Sequence, residues 1–137
     1  MNKEMKEYSE REARRKIALE ILKAEEDLVS KVWERLLPIL GEIILSAIFR
    51  RILRKVSKIY PLFSEVTVTG KGLDFKGAIK DHLEEETAKE IKQGFSLIIS
   101  EIILFLSQMT GNILVSEVKE VITRSKRLEA KDEQRED

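Results

Sequence analysis

Cysteine is absent from this 137-residue chain. That gap excludes disulfide frameworks, thiolate zinc sites, iron–sulfur ligation and cysteine nucleophiles together. Histidine occurs once, at His82. It stands beside Asp81 at an expected helix start, where an exposed first-turn residue is a simpler reading than the general base that a serine or threonine nucleophile would need. The chain is therefore expected to be non-enzymatic, with no cofactor. A charge of one sign is missing too: 25 basic residues balance 25 acidic ones, so no global field would gather nucleic acid or an anionic membrane. Asparagine and glutamine are scarce while Lys, Glu, Arg, Ile and Leu dominate, a profile expected of a thermophile's soluble protein.

Uninterrupted apolar runs of membrane length are also lacking. Leu36 to Phe49 is broken by Glu42 and stops at Arg50-Arg51, and Phe95 to Leu106 is shorter and contains Glu101. A bilayer-crossing helix needs roughly 20 apolar residues, so core or interface burial is the expectation for both, with no transmembrane segment. The first sixteen residues are dense in both charge signs and have no signal-peptide core, which points to the cytoplasm.

What is present is helical patterning. The length fits a single helical domain over residues 1–128. From Lys3 to Leu37 there is no glycine or proline, and Leu22, Val29, Val32, Leu36, Ile39 and Ile43 follow a three-and-four step. A helix over 3–37 is predicted, about 50 Å long at 1.5 Å per residue and too long for a compact domain of this size to cover alone. Pro38 removes an amide donor and obstructs the Glu34 carbonyl, so a kink or break is expected between Leu36 and Gly41. A second helix over 39–59 carries Ile44, Ile48, Ile52, Val56 and Ile59 and ends before Pro61. Glu65-Val66-Thr67-Val68-Thr69 and Leu73-Asp74-Phe75 alternate around Gly70-Lys71-Gly72, a hairpin at residues 65–76 that must pack on helices or on a second copy. Asp81 and Glu84 form a capping-box-like start for a helix over 82–109, whose seam is Ala88, Ile91, Phe95, Ile98, Ile102, Phe105 and Met109. Gly111 is the C-cap, and a fourth helix over 112–128 bears Leu114, Val118, Val121 and Leu128. Residues 129–137 are almost all charged and are expected to fray or be disordered. The fold class is thus an all-α bundle of about four helices, with coiled-coil-like seams and a small β-hairpin insertion.

Three constellations could carry function. Leu37–Leu45 and Ser96–Leu104 each place one carboxylate, Glu42 and Glu101, inside a nearly all-apolar helical run. Buried carboxylates need partners, either the arginines at 50, 51 and 54 or, in a carboxylate bundle, a divalent metal, although no Glu-x-x-His pair supports the metal reading. Arg50, Arg51, Arg54, Lys55 and Lys58 put five cations within about three turns, a candidate contact for nucleic acid or acidic partners, without the interleaved aromatics of a stacking platform. Thr69-Gly70-Lys71-Gly72 lacks the full phosphate-loop pattern and reads as the hairpin turn. The seams themselves are helix-interface candidates at Leu22, Val29, Val32, Leu36, Phe95, Ile98, Ile102 and Phe105. The leading expectation is a helical interaction or oligomerisation module, a homo-oligomer with a dimer favoured and an additional protein partner. A nucleic-acid-associated accessory protein and a carboxylate metal bundle are the alternatives.

Overall fold

A computed structural model describes residues 3–75 and 85–135. The Asp81–Glu84 cap and His82 lie outside the described residues. The chain folds as an all-α bundle of four helices with a small antiparallel hairpin. The order is α1 (Lys3–Leu40), α2 (Glu42–Ile59), a single 3₁₀ turn (Pro61–Phe63), β1 (Thr67–Thr69), β2 (Gly72–Asp74), α3 (Glu85–Thr110) and α4 (Asn112–Arg135).

The first helix runs through Pro38 instead of breaking before it, and the break falls at Gly41. Pro38 lies in the last turn and is exposed, so only one intrahelical bond is lost and water can reach the freed Glu34 carbonyl. Gly41 has φ +81°, a conformation that favours glycine. Its N–H still bonds the Leu37 carbonyl at 2.9 Å, while its own carbonyl accepts from Leu45 at 3.1 Å, so α2 starts at once in a new direction. Gly111 does the same between α3 and α4: it has φ +65° and its N–H bonds the Ser107 carbonyl at 3.0 Å. α4 continues past Leu128 to Arg135, where the sequence suggests fraying. The Arg, Leu, Glu, Ala, Lys and Gln of this stretch are good helix formers as well as solvated ones, and composition alone does not separate the two outcomes.

Side-chain pairs fix how the helices lie. Arg35 reaches Glu117 and Glu120, both at 3.3 Å, and Lys31, one turn earlier, lines the same cleft as Leu128, later in α4, which sets α1 antiparallel to α4. Lys55 meets Glu101 at 3.1 Å and Tyr60 meets Gln93 at 3.5 Å, which sets α2 antiparallel to α3. Both interhelical turns therefore sit at one end of the bundle, and α1 and α3 run parallel.

The core has an aromatic centre. Trp33 meets Phe49 edge-on at 5.1 Å, and Phe95 gathers Phe63 at 5.6 Å and Phe75 at 5.0 Å. Such pairs contribute about 0.5–1.5 kcal/mol beyond their area burial. Gly94 makes this approach possible, since a Cβ there would overlap the Phe63 ring. The hairpin packs on helices, as its two strands require. Its register pairs Thr67 with Asp74, Val68 with Leu73 and Thr69 with Gly72. Trp33 Nε1 donates to the Gly70 carbonyl at 3.2 Å, and Gly72 at φ +117° lies against the Trp33 side chain. Val66, Leu73 and Phe75 turn inward. Among the described residues no buried polar side-chain atom lacks a hydrogen-bond partner.

By length and composition alone, the helix Ala88–Thr110, 23 residues long, is apolar enough to cross a membrane. The apolar run Phe95–Leu106, with Glu101 inside it, is only the central part of this helix. Here Ile91, Phe95, Ile98, Ile102 and Leu106 of this helix are core residues.

Candidate interaction surfaces

The helix-interface candidates divide according to the straightness of their helix. Leu22, Val29, Val32 and Leu36 are buried on α1, and Phe95, Ile98 and Ile102 on α3. Phe105 is only half-buried and its neighbour Leu106 takes the core position, while Met109 is 50% exposed. A straight helix drifts by about 20° per heptad against a seven-residue repeat, so the three heptads from Ala88 to Met109 rotate the seam by about 60°. Ile39 and Ile43, expected to continue the α1 seam, are 52% and 87% exposed. The chain turns back at Gly41, so a rhythm that is continuous in sequence is discontinuous in space. Leu128, expected in the α4 seam, is exposed as well.

The two carboxylates have different fates, and neither is the buried glutamate–arginine pair expected. Glu42 is exposed in the first turn of α2, where the helix dipole favours an acid, and its Oε1 lies beside Gly70 of the hairpin turn. Glu101 is mostly covered and takes Lys55 Nζ with both oxygens at 3.1 Å. Lys55 is thirteen residues along α2 from Glu42, about 20 Å at 1.5 Å per residue, so the two glutamates of one chain cannot share an ion. Among the described residues no cluster of three or more His, Asp or Glu forms a metal site.

The five cations of α2 all reach solvent. Arg50 and Arg54 border the hairpin, near Thr67 and Val68. Arg51, Arg54, Lys55 and Lys58 line a groove of about 500 Å³ against α3, with Glu101, Leu104 and Phe105 on the opposite side. The Arg51 guanidinium sits 6.0 Å from the centre of the Phe105 ring, at the outer limit of cation–π range.

A further surface is one that periodicity does not single out. Ile39 lies one turn beyond Arg35, and Ile113 one turn beyond that arginine's partner Glu117, which places both at the same end of α1 and α4. Ile44 lies two turns beyond Arg51, and Met109 one turn beyond Phe105. With Ile43 these make five large apolar side chains at the end that carries both turns, 49% to 87% exposed. The signal available in sequence was a glycine two residues before an isoleucine, Gly41 before Ile43 and Gly111 before Ile113, which moves them from a seam to a tip. At the far end, residues 3–13 of α1 are all exposed, about 16 Å of helix with no buried side chain. Tyr8 in this arm is held above its ordinary pKa, because its hydroxyl donates to Glu12 and the nearby carboxylate opposes the phenolate.

Compared with known proteins, the chain matches no family model, no curated protein and no solved structure.

Proposed function

We propose that this protein is a non-enzymatic helical interaction module that self-associates as a dimer through the apolar end of its bundle. The observation that carries the reading is the exposed group Ile39, Ile43, Ile44, Met109 and Ile113 at the two interhelical turns. These side chains expose on the order of 500 Å², in the range of the functional patches of monomeric proteins, and a symmetric contact would bury about twice that, near the lower bound for a specific interface. Between positions 38–47 and 108–116 there is no lysine or arginine, and Glu42 supplies the only formal charge. A second copy thus meets little like-charge repulsion there, whereas an anionic lipid surface would find no cation to attract it. The chain's zero net charge is compatible with self-association.

Light scattering coupled to size exclusion tests this directly. The wild type is expected at twice the chain mass at micromolar concentration, and a variant carrying Ile43→Glu and Ile113→Glu at the chain mass with an unchanged helical spectrum. A monomeric wild type overturns the proposal, and a dimer indifferent to both substitutions moves the interface elsewhere.

A further inference from the structure

The groove between α2 and α3 lies on the flank of the bundle, adjoining the apolar end at Gln108, and combines a row of cations with an exposed apolar wall. Its α2 wall carries Arg51, Lys55 and Lys58 at a four-then-three spacing on one helical face, with Arg54 beside them. These cations span about 10 Å, two turns of helix. Its α3 wall offers Leu104, 50% exposed, and the half-buried Phe105 ring. Four cations face one carboxylate in this lining, and that carboxylate, Glu101, is already held by Lys55.

We infer that this groove docks an acidic amphipathic helical segment of a protein partner, with apolar side chains on Leu104 and Phe105 and carboxylates on Arg51, Arg54 and Lys58. A helix laid into a groove between two helices presents side chains every three to four residues, which matches the cation spacing of α2. Charge complementarity selects an acidic occupant and steers its approach. A nucleic acid fits the same surface less well. Glu101 would oppose a phosphate path along the groove, the Phe105 ring is already approached by Arg51 and is a poor base-stacking platform, and Leu104 would contribute nothing to phosphate contacts.

Fluorescence anisotropy on the full chain tests the inference with three labelled probes of equal net charge. They are a synthetic helical peptide with leucines along one face flanked by glutamates, a scrambled peptide of the same composition, and a single-stranded DNA oligonucleotide. The amphipathic peptide is expected to bind at least about tenfold more tightly than either control. Lys58→Glu combined with Arg54→Glu should weaken it by about tenfold or more, and Leu104→Gln by about fivefold, with helical spectra unchanged since all three side chains are exposed. Equal binding of the scrambled peptide, tighter binding of the DNA, no binding of any probe, or indifference to these substitutions would each overturn the inference. The Ile43→Glu, Ile113→Glu variant should bind the peptide as the wild type does, so failure here and failure of the dimer are read separately.

Discussion

The centre of the bundle and its end are built from the same kinds of residue and reach opposite states. At the centre, Phe49, Phe63, Phe75, Phe95 and Ile98 are 2% exposed or less. At the end, Ile43 and Ile113 are 87% and 74% exposed. The centre is closed because the 3₁₀ turn and the hairpin supply Phe63 and Phe75 to the side that four helices leave open. The end is spanned by two glycine turns too short to cover anything. Apolarity creates a demand for burial, and only the connecting segments decide whether the chain meets it within itself.

Substitutions can break or sharpen that contrast. The largest loss is expected at the centre, where Phe95→Ala should cost about 3–5 kcal/mol and Ile98→Ala about 2–5 kcal/mol in urea unfolding, each leaving a cavity among fully buried neighbours. A loss under 1 kcal/mol at either position would mean that the centre can collapse as freely as the end. Overpacking comes next: Gly94→Ala pushes a methyl into the Phe63 ring and should cost about 1–3 kcal/mol. Combining it with Phe63→Leu should recover part of that loss, because the two positions share one space. On the flank, Glu101→Gln removes a partner from Lys55, whose side chain is 58% exposed and can turn to water, so the melting curve should register about 1 kcal/mol or less. The smallest change is expected at the end: Ile43→Ala, measured at concentrations dilute enough for separate chains, should stay within about 0.5 kcal/mol. A core-sized loss there would show that the end is covered in the folded chain.

Much of this division was legible where a helix is straight and uninterrupted. Val29, Val32 and Leu36, or Ile91, Phe95 and Ile98, keep a three-and-four step on one helix, and period alone assigns their face. The hairpin was legible because Leu73 and Phe75 alternate with Asp74 beside a glycine turn. Three things were not. Whether Pro38 or Gly41 ends α1 depends on which residue loses more by staying helical, and a proline in the last turn loses little. The slow rotation of the α3 seam, which exchanges Phe105 for Leu106, accumulates over three heptads and is invisible within any one. The partners of Glu42 and Glu101 were mistaken because an apolar run in sequence was equated with an apolar environment. Glu42 emerges at the tip, and Glu101 lies at the border of the groove, where a lysine stem from α2 can reach it. Its Lys55 partner shares a helix face with Arg51 and lies one turn along from it, so the choice of lysine over arginine was a matter of axial position along α2.

The parallel arrangement of α1 and α3 carries a consequence for synthesis. A hairpin of adjacent helices can close as soon as its second helix has emerged, but the α1 seam from Leu22 to Leu36 packs against a helix that begins at Glu85 and ends at Thr110. At about 5–20 residues per second the ribosome needs roughly 4–14 s to make the 70 residues between the ends of α1 and α3. Throughout that interval the seam of α1 has only α2 and the hairpin to lean on. The nascent chain is therefore exposed to aggregation and to chaperones at its first helix, and the speed of elongation through residues 41–110 sets how long that exposure lasts.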